Sequence, residues 1–251
     1  MEALRAVLQA LENDSWDDLV VAGDIVARCL HDAECIDLLR DLKCVAIVGN
    51  SDIWAATSDH PGAAEIRNEI GPARTAFLAC LPSEHRITPS GGRSPDDDLL
   101  VVHSTPQAIK AALIVEKHPL YPCSLTPENT ARRLIGDARA NLIVGGHLHY
   151  SQSGLVGGQR FATIAPVSFA NDGDPRAGYT LATWDGGEWK LDHRRACYNV
   201  ERVADEIEQS GLEHASKWAE ELRSAIVKEH YSIEFLDELA RNTSSELSDK
   251  T

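Results

Sequence analysis

Apolar positions along this chain fall into two registers, one that suits helices and one that suits buried strands. In EALRAVLQAL (2–11), Leu4, Val7, Leu8 and Leu11 share a helical face, so the chain opens as an amphipathic helix. A short apolar run, DDLVVAGD (17–24), predicts a strand. AECIDLLRDL (33–42) predicts a helix with Ile36, Leu39 and Leu42 inward, and CVAIVGN (44–50) a second strand. Residues 59–72 read as a helix around Ile66 and Ile70 that stops at Gly71-Pro72. PSGGRSPDDD (89–98) is a polar loop, and LLVVHS (99–104) is a third apolar strand. In TPENTARRLIGDARA (126–140), Thr126 stands as N-cap and Pro127 at the first helical position. NLIVGGH (141–147) is a fourth strand.

The pattern changes beyond residue 150. GQRFATIAPVSFA and GYTLATWDGGEWKLDHRR predict shorter strands, with a hairpin centred on Asp185-Gly186-Gly187. From Asn199, an N-cap candidate, NVERVADEIEQSG turns helical, with Gly211 as its C-cap. EHASKWAEELRSAI predicts a second helix and SIEFLDELARN a third. The division expected is a core over 1–198, a helical extension over 199–242 packing on it, and a polar disordered tail over 243–251. The extension's apolar stripes suit docking on the core or on another subunit, so a homo-oligomer stays open.

Four of the strands share an ending. LVVAGD ends in Gly23-Asp24, VAIVGN in Gly49-Asn50, LLVVH in His103, and LIVGGHLH in His147 and His149. Strands that are apolar on both faces belong between layers. In open α/β sheets, sites collect at the carboxyl ends of strands. Each ending supplies an oxygen or nitrogen able to ligate a metal. Extended backbone points residues two apart the same way, so His147 and His149 are expected to face one site. Any one of these endings reads equally well as a turn or a buried histidine. All four together predict a shared metal site.

The series Gly-Asp, Gly-Asn-x-Asp, His, Gly-His-x-His resembles the calcineurin-like metallophosphoesterase superfamily, in particular its small bacterial and archaeal phosphodiesterase-like branch. The resemblance implies an α/β fold of two packed β-sheets flanked by helices, a four-layer αββα sandwich. It implies a two-metal centre in which Asp24 bridges both ions, Asn50, His103 and His147 complete one, and His149 serves the other. Asp24, Asn50 and His103 are then the catalytic set. Mn, Fe, Ni or Zn suits such nitrogen and oxygen donors. The implied reaction is hydrolysis of a phosphodiester or phosphomonoester of a small molecule by a metal-bound hydroxide. Metal occupancy should then fall as pH drops through histidine's range.

The sequence departs from that pattern in three places. The family's opening strand ends in Asp-x-His, which ligates the ion that His149 also serves. Here the chain starts at MEALRAVLQAL, which resembles the helix after that strand. Either the start lies internal to a longer protein or one metal site is lost. As the sequence stands, one firm metal and one weak or absent metal are expected, with low activity. Ser51 occupies the position where many relatives carry a leaving-group histidine. His31, His60 and His85 are its nearest replacements in sequence, though each reads as readily as a surface residue. APVSFAN (165–171) keeps only Pro166 and Ser168 of an Asn-Pro-Gly-Ser-Val-Gly stretch common in short relatives.

Asp52 reads either as a residue orienting a ligand histidine or as a helix-capping acid. Arg28 reads as a phosphate contact or a surface ion pair. His118, His193, His214 and His230 lie away from the motifs, and Trp184, Trp189 and Trp218 read as packing residues. Composition narrows the function classes. A net charge of −15, from 24 basic and 39 acidic residues, disfavours long polyanions and so a nuclease. Six scattered cysteines without a CxxC pair predict reduced, mostly buried thiols in a cytoplasmic protein. No apolar run approaches the roughly 20 residues of a membrane span, and the N-terminal residues read as a helix rather than a secretion leader. The rival to an enzyme is a catalytically silent relative that keeps one metal site and acts as a binding or regulatory protein.

Overall fold

The computed structural model describes residues 1–26 and 30–227. Arg28, His230, the third C-terminal helix and the polar tail lie outside the described residues. Helix α1 (Glu2–Leu11) forms where its periodicity places it and buries Ala3, Val7 and Leu11. Strand β1 (Val20–Val21), helix α2 (Asp32–Asp41) and strand β2 (Val45–Ala46) follow, with β1 and β2 paired in parallel.

Three helices then come in succession: α3 (Asn50–Thr57), α4 (Pro61–Ile70) and α5 (Pro72–Ala79). Only α4 is legible from periodicity. In α3 the apolar residues run consecutively from Ile53 to Ala56, which carries no helical period. Gly71-Pro72 reads as a stop, yet it serves both helices. Gly71 ends α4 at φ 78°, and Pro72, pre-set for helical φ, opens α5.

Strands β3 (Glu84–Ile87) and β4 (Leu99–Val102) follow, then helix α6 (Glu128–Ile135), strand β5 (Leu142–Gly145) and the hairpin of β6 (Gln152–Val156) with β7 (Gln159–Thr163). They build a five-stranded sheet in the order β3-β4-β5-β7-β6, whose central strands β4, β5 and β7 are parallel. Every residue of β4 and β5 is buried, as the two-faced apolar pattern predicts. The expected cap of α6 is shifted. Pro127 is the capping residue, and the Thr126 hydroxyl accepts the Ile114 N–H of a neighbouring loop. The helix stops at Ile135 because Gly136 turns to positive φ.

The chain ends its described course with the hairpin of β8 (Ala177–Trp184) and β9 (Trp189–Ala196), then α7 (Val200–Gln209) and α8 (Ala215–Ser224). The hairpin turns at Asp185, whose carboxylate accepts the N–H groups of Gly187 and Glu188. Asn199 caps α7 by accepting the Arg202 N–H. The C-cap is Ser210, with Gly211 one residue beyond at φ 73°.

One face of the five-stranded sheet (Leu100, Val102, Ile143, Phe161) packs on α6. The opposite face (Leu99, Val101, Val144, Ala162) packs on β1–β2 and on β8–β9, through Ile47 and Trp189. α1 covers β8–β9 from outside. The result is the α/β architecture of packed sheets between helices. Helices α7 and α8 bury Ala204, Ile207, Ala219 and Leu222 against each other and take in Leu30 and Phe169. The Trp184 and Trp189 rings meet at a tilt with centroids 5.7 Å apart, and Trp218 packs with the α7–α8 cluster, as packing residues should.

The second layer is two two-stranded ribbons rather than one sheet. Between them runs a cavity of about 2060 Å³. Residues 19–24 and 178–184 line it consecutively, so both the β1 edge away from β2 and the β8 edge away from β9 face it. Leu4 and Leu8 of α1 close it from one side.

The cysteines correct one expectation. Those at 35, 44, 80, 123 and 197 are free thiols, but each is half-buried or exposed. Among the described residues no helix is long and apolar enough to cross a membrane.

Candidate metal centre

Asp24 follows β1, Asn50 opens α3 after β2, His103 follows β4, and His147 and His149 follow β5. The buried strands bring these carboxyl ends together. One ligand atom each from Asp24, His103 and His147 lies within 4.8 Å of the others. Asn50 joins them, with Oδ1 3.0 Å from His103 Nε2, and Asp24 Oδ2 stands 3.4 Å from that same nitrogen. His149 lies outside the tight group, though its charge still acts on Asp24.

The reason expected for the pairing of His147 and His149 does not hold. Both have positive φ, 60° and 61°, so the segment turns rather than extends. Which face each ring takes is set by its hydrogen bonds and not by strand alternation.

Two glycines make the approach possible. A Cβ at Gly49 would sit 2.2 Å from both the backbone nitrogen and Oδ1 of Asp24. One at Gly23, already at φ 84°, would meet Gly49 N at 2.7 Å and His103 Nδ1 at 2.8 Å. Asp24 itself has φ 53°, a conformation that Asp tolerates better than most residues.

Backbone carbonyls choose the ring nitrogens. His103 Nδ1–H donates to Ala22 O at 2.8 Å, His147 Nε2–H to Lys110 O at 3.2 Å, and His149 Nδ1–H to Phe169 O at 2.8 Å. The opposite nitrogens, His103 Nε2, His147 Nδ1 and His149 Nε2, are then the candidate ligand atoms, with each ring oriented from behind as ligand histidines usually are. Nothing in the sequence announces these partners, because every residue carries a carbonyl.

Asp52 is fully buried and holds backbone rather than a histidine. Its Oδ2 accepts the Gly49 N–H at 2.8 Å, which is the capping role. Its Oδ1 accepts those of Ile25 at 2.9 Å and Val26 at 3.1 Å. It thereby ties the loop after Asp24 to the loop before Asn50. Burial, helped by the charge of Asp24, pushes its carboxyl up to about 6 against the pull of the Gly49 and Val26 N–H groups.

The electrostatics fit a candidate cation site. Burial opposes the charge on Asp24, but the hydrogen bond and charge of His103 and the Ser51 N–H outweigh it and hold the carboxyl at about 2. Burial likewise opposes protonation of His103, yet Asp24 and the Ala22 carbonyl raise it above its ordinary value. His103 Nε2, Asp24 Oδ2 and Asn50 Oδ1 are three electron-pair donors facing one another, an arrangement that a proton or a metal ion satisfies. Nitrogen and oxygen donors without thiolate suit Mn, Fe, Ni or Zn.

Burial and the neighbouring His103 charge push His147 down to about 3. The sign of the linkage follows. Below 6.5 the unfolded chain binds a proton there and the native protein does not, until about 3. The metal-free protein therefore loses stability from this group as pH falls through that window, by at most about 1.4 kcal/mol per unit. The ring's partial exposure to the pocket lowers the figure. In denaturant titrations the advantage of wild type over His147→Gln should shrink steadily from pH 6.5 downward. A pH-independent difference would contradict the assignment.

The remaining histidines serve other ends. His31 pairs with Glu206 of α7 at 2.7 Å, and His60 Nδ1 caps α4 by accepting the Gly62 N–H. His85 lies within β3, and His193 bonds Thr180 Oγ1 on the hairpin. His118 is buried beside Tyr150, and His214 precedes α8.

The family model of the calcineurin-like phosphoesterases matches residues 1–151, a span holding Asp24, Asn50, His103, His147 and His149. This chain belongs to the calcineurin-like phosphoesterases. A metallophosphoesterase from Sphaerobacter thermophilus has a similar crystal structure, with TM-score 0.67 and 18% identity, covering 90% of this chain and 94% of that one. A hypothetical protein from Pyrococcus horikoshii OT3 superposes with TM-score 0.69 at 15% identity over 89% and 93%. At such identities the likeness is one of fold. In sequence, an uncharacterized protein of Methanocaldococcus jannaschii is 42% identical over 52 residues. The match spans about a fifth, 21%, of that relative's length and of this phosphoesterase's own.

Proposed function

We propose that this phosphoesterase hydrolyses phosphodiesters or phosphomonoesters of small molecules, with a divalent cation held by Asp24, Asn50, His103 and His147. The observation that carries the reading is the convergence of Asn50 Oδ1, at 3.0 Å, and Asp24 Oδ2, at 3.4 Å, on His103 Nε2. A divalent cation bound there supplies Lewis acidity, drawing charge from a phosphoryl oxygen and acidifying water. The chain's own part is to keep Asp24 ionised, to keep the histidines in ligating tautomers through Ala22, Lys110 and Phe169, and to fix both loops through Asp52.

Ser51 gives its N–H to Asp24 Oδ1 at 2.8 Å and brings no imidazole to a leaving group. Esters with acidic leaving groups, which depart without a proton, fit that site best. The net charge of −15 favours small substrates over nucleic acid, and the free thiols suit a cytoplasmic setting.

A second reading has its own support. Beyond Asp24, the family likeness assigns His149 alone to a second ion, which favours one firm metal and a weak partner site, or a silent metal-binding relative. Calorimetry with Mn²⁺ and hydrolysis of bis-p-nitrophenyl phosphate and p-nitrophenyl phosphate separate the readings. Mn²⁺ binding with EDTA-sensitive hydrolysis is expected. Binding without turnover of either ester leaves the silent relative, and no binding removes the site.

A further inference from the structure

The segment SFAN, residues 168–171, has no role in the ligand set, yet it touches both His149 and the helical hairpin. Phe169 O accepts the Nδ1–H of His149 at 2.8 Å. Two residues on, the Asn171 N–H donates to the His149 carbonyl at 2.8 Å. His149 is thus held by its ring and by its backbone from one short turn.

The same turn is anchored to the C-terminal helices. The Phe169 ring packs in the apolar cluster that α7 and α8 form through Ala204, Ile207, Ala219 and Leu222. The Asn171 side chain is fully buried, and its Oδ1 accepts the Val227 N–H at 2.7 Å just past α8. Gly173 N–H donates to Ala225 O at 3.0 Å. Phe169 also stands at φ 57°, costly for a bulky residue, so its surroundings impose the turn.

We propose that the 168–171 turn couples the α7–α8 hairpin to His149, with Phe169 the positioning residue that fixes the ring's tautomer and direction. Packing of the phenyl ring in the hairpin sets where the residue's carbonyl points, and the carbonyl sets which nitrogen of His149 carries the proton. The helical extension is then part of the site's frame, although neither α7 nor α8 supplies a ligand. The inference rests on His149 being a ligand in the proposed function. Its readout is independent of turnover, so the two fail separately.

The test is the imidazole ¹H–¹⁵N spectrum of the metal-free, full-length protein at mildly alkaline pH, with His149 assigned by its loss in His149→Ala. Wild type should show His149 in the Nδ1–H form. Phe169→Ala should lower the ratio of that tautomer to the other by about fivefold, the ratio an ordinary hydrogen bond supports. Phe169→Leu, which refills the apolar contact, should stay near wild type. Ile207→Ala loosens the hairpin and leaves the turn's own residues unchanged, and it should shift His149 in the same direction, which decides the matter if Phe169→Ala does not fold. The Nδ1–H of His103, bonded to Ala22, should hold in every variant. An unchanged His149 in Phe169→Ala and Ile207→Ala overturns the coupling. So does a leucine variant shifted as far as alanine, or a His103 that shifts alongside His149.

Discussion

Replacing Asp24 by asparagine or His103 by alanine is expected to abolish Mn²⁺-dependent hydrolysis of bis-p-nitrophenyl phosphate, with little loss of fold. The two residues provide the carboxylate and the imidazole whose ligand atoms stand 3.4 Å apart at the centre of the cluster. Losing either takes away a strong ligand, and a Lewis acid is worth several kcal/mol of transition-state stabilisation, so a fall of about 10³-fold or more follows. The fold should tolerate both changes. Asn keeps the shape of Asp24 and can still accept the Ser51 N–H. The site around His103 rests on Gly23, Asn50 and backbone rather than on a close-packed apolar core. Circular dichroism and the unfolding midpoint check the fold. Full turnover in either variant would show the ligand assignment to be wrong.

The second large effect concerns the cavity between β1 and β8. Interiors of folded proteins pack densely, and ligand pockets usually span about 300–1,000 Å³. The space of about 2060 Å³ runs from these two strand edges past His103 to Trp218 of α8, and it is larger than either rule accommodates. On its β2 side β1 gives the Leu19 and Val21 carbonyls to Val45 and Ile47, so the peptide groups of Val20 turn the other way, into the cavity. Buried backbone groups need partners, and an inserted strand supplies them while joining the two ribbons into one sheet.

An apolar strand joined ahead of Met1 is accordingly expected to raise Tm by about 10 °C or more, the shift that burying one such strand supports. If that segment carries the Asp-x-His of the resemblance, the protein should also bind a second Mn²⁺ tightly and turn over faster. Differential scanning calorimetry and metal analysis of the extended and 251-residue forms make the comparison. An extended form with the same Tm, one Mn²⁺ and no added turnover would leave the cavity unexplained and favour the silent relative.

Much of this centre was legible in advance for a local reason. A strand buried on both faces must be apolar throughout, so the polar residue that ends it stands out, as Asp24, Asn50, His103 and His147 do. Helices with a clear apolar stripe, such as α1 and α2, show themselves in the same way. α3 and α5 do not, because eight residues hold barely two turns and their burial comes from neighbouring helices. Asp52 left two roles open, since a carboxylate at a helix start looks the same whether it caps that start or orients a ligand histidine; its hold on a loop 26 residues away shows only in the fold.

The letters alone placed four apolar strands and the polar residue that closes each of them, because burial imposes a pattern that every residue on a strand must obey. Which nitrogen of each histidine faces the cluster, why His147 and His149 diverge, and how the C-terminal helices reach His149 emerge only once the chain has folded. Those choices are made by the carbonyls of Ala22, Lys110 and Phe169, brought in from 20 to 81 residues away. A backbone carbonyl has no residue identity, so no pattern of letters can reveal its role until the chain has folded around it.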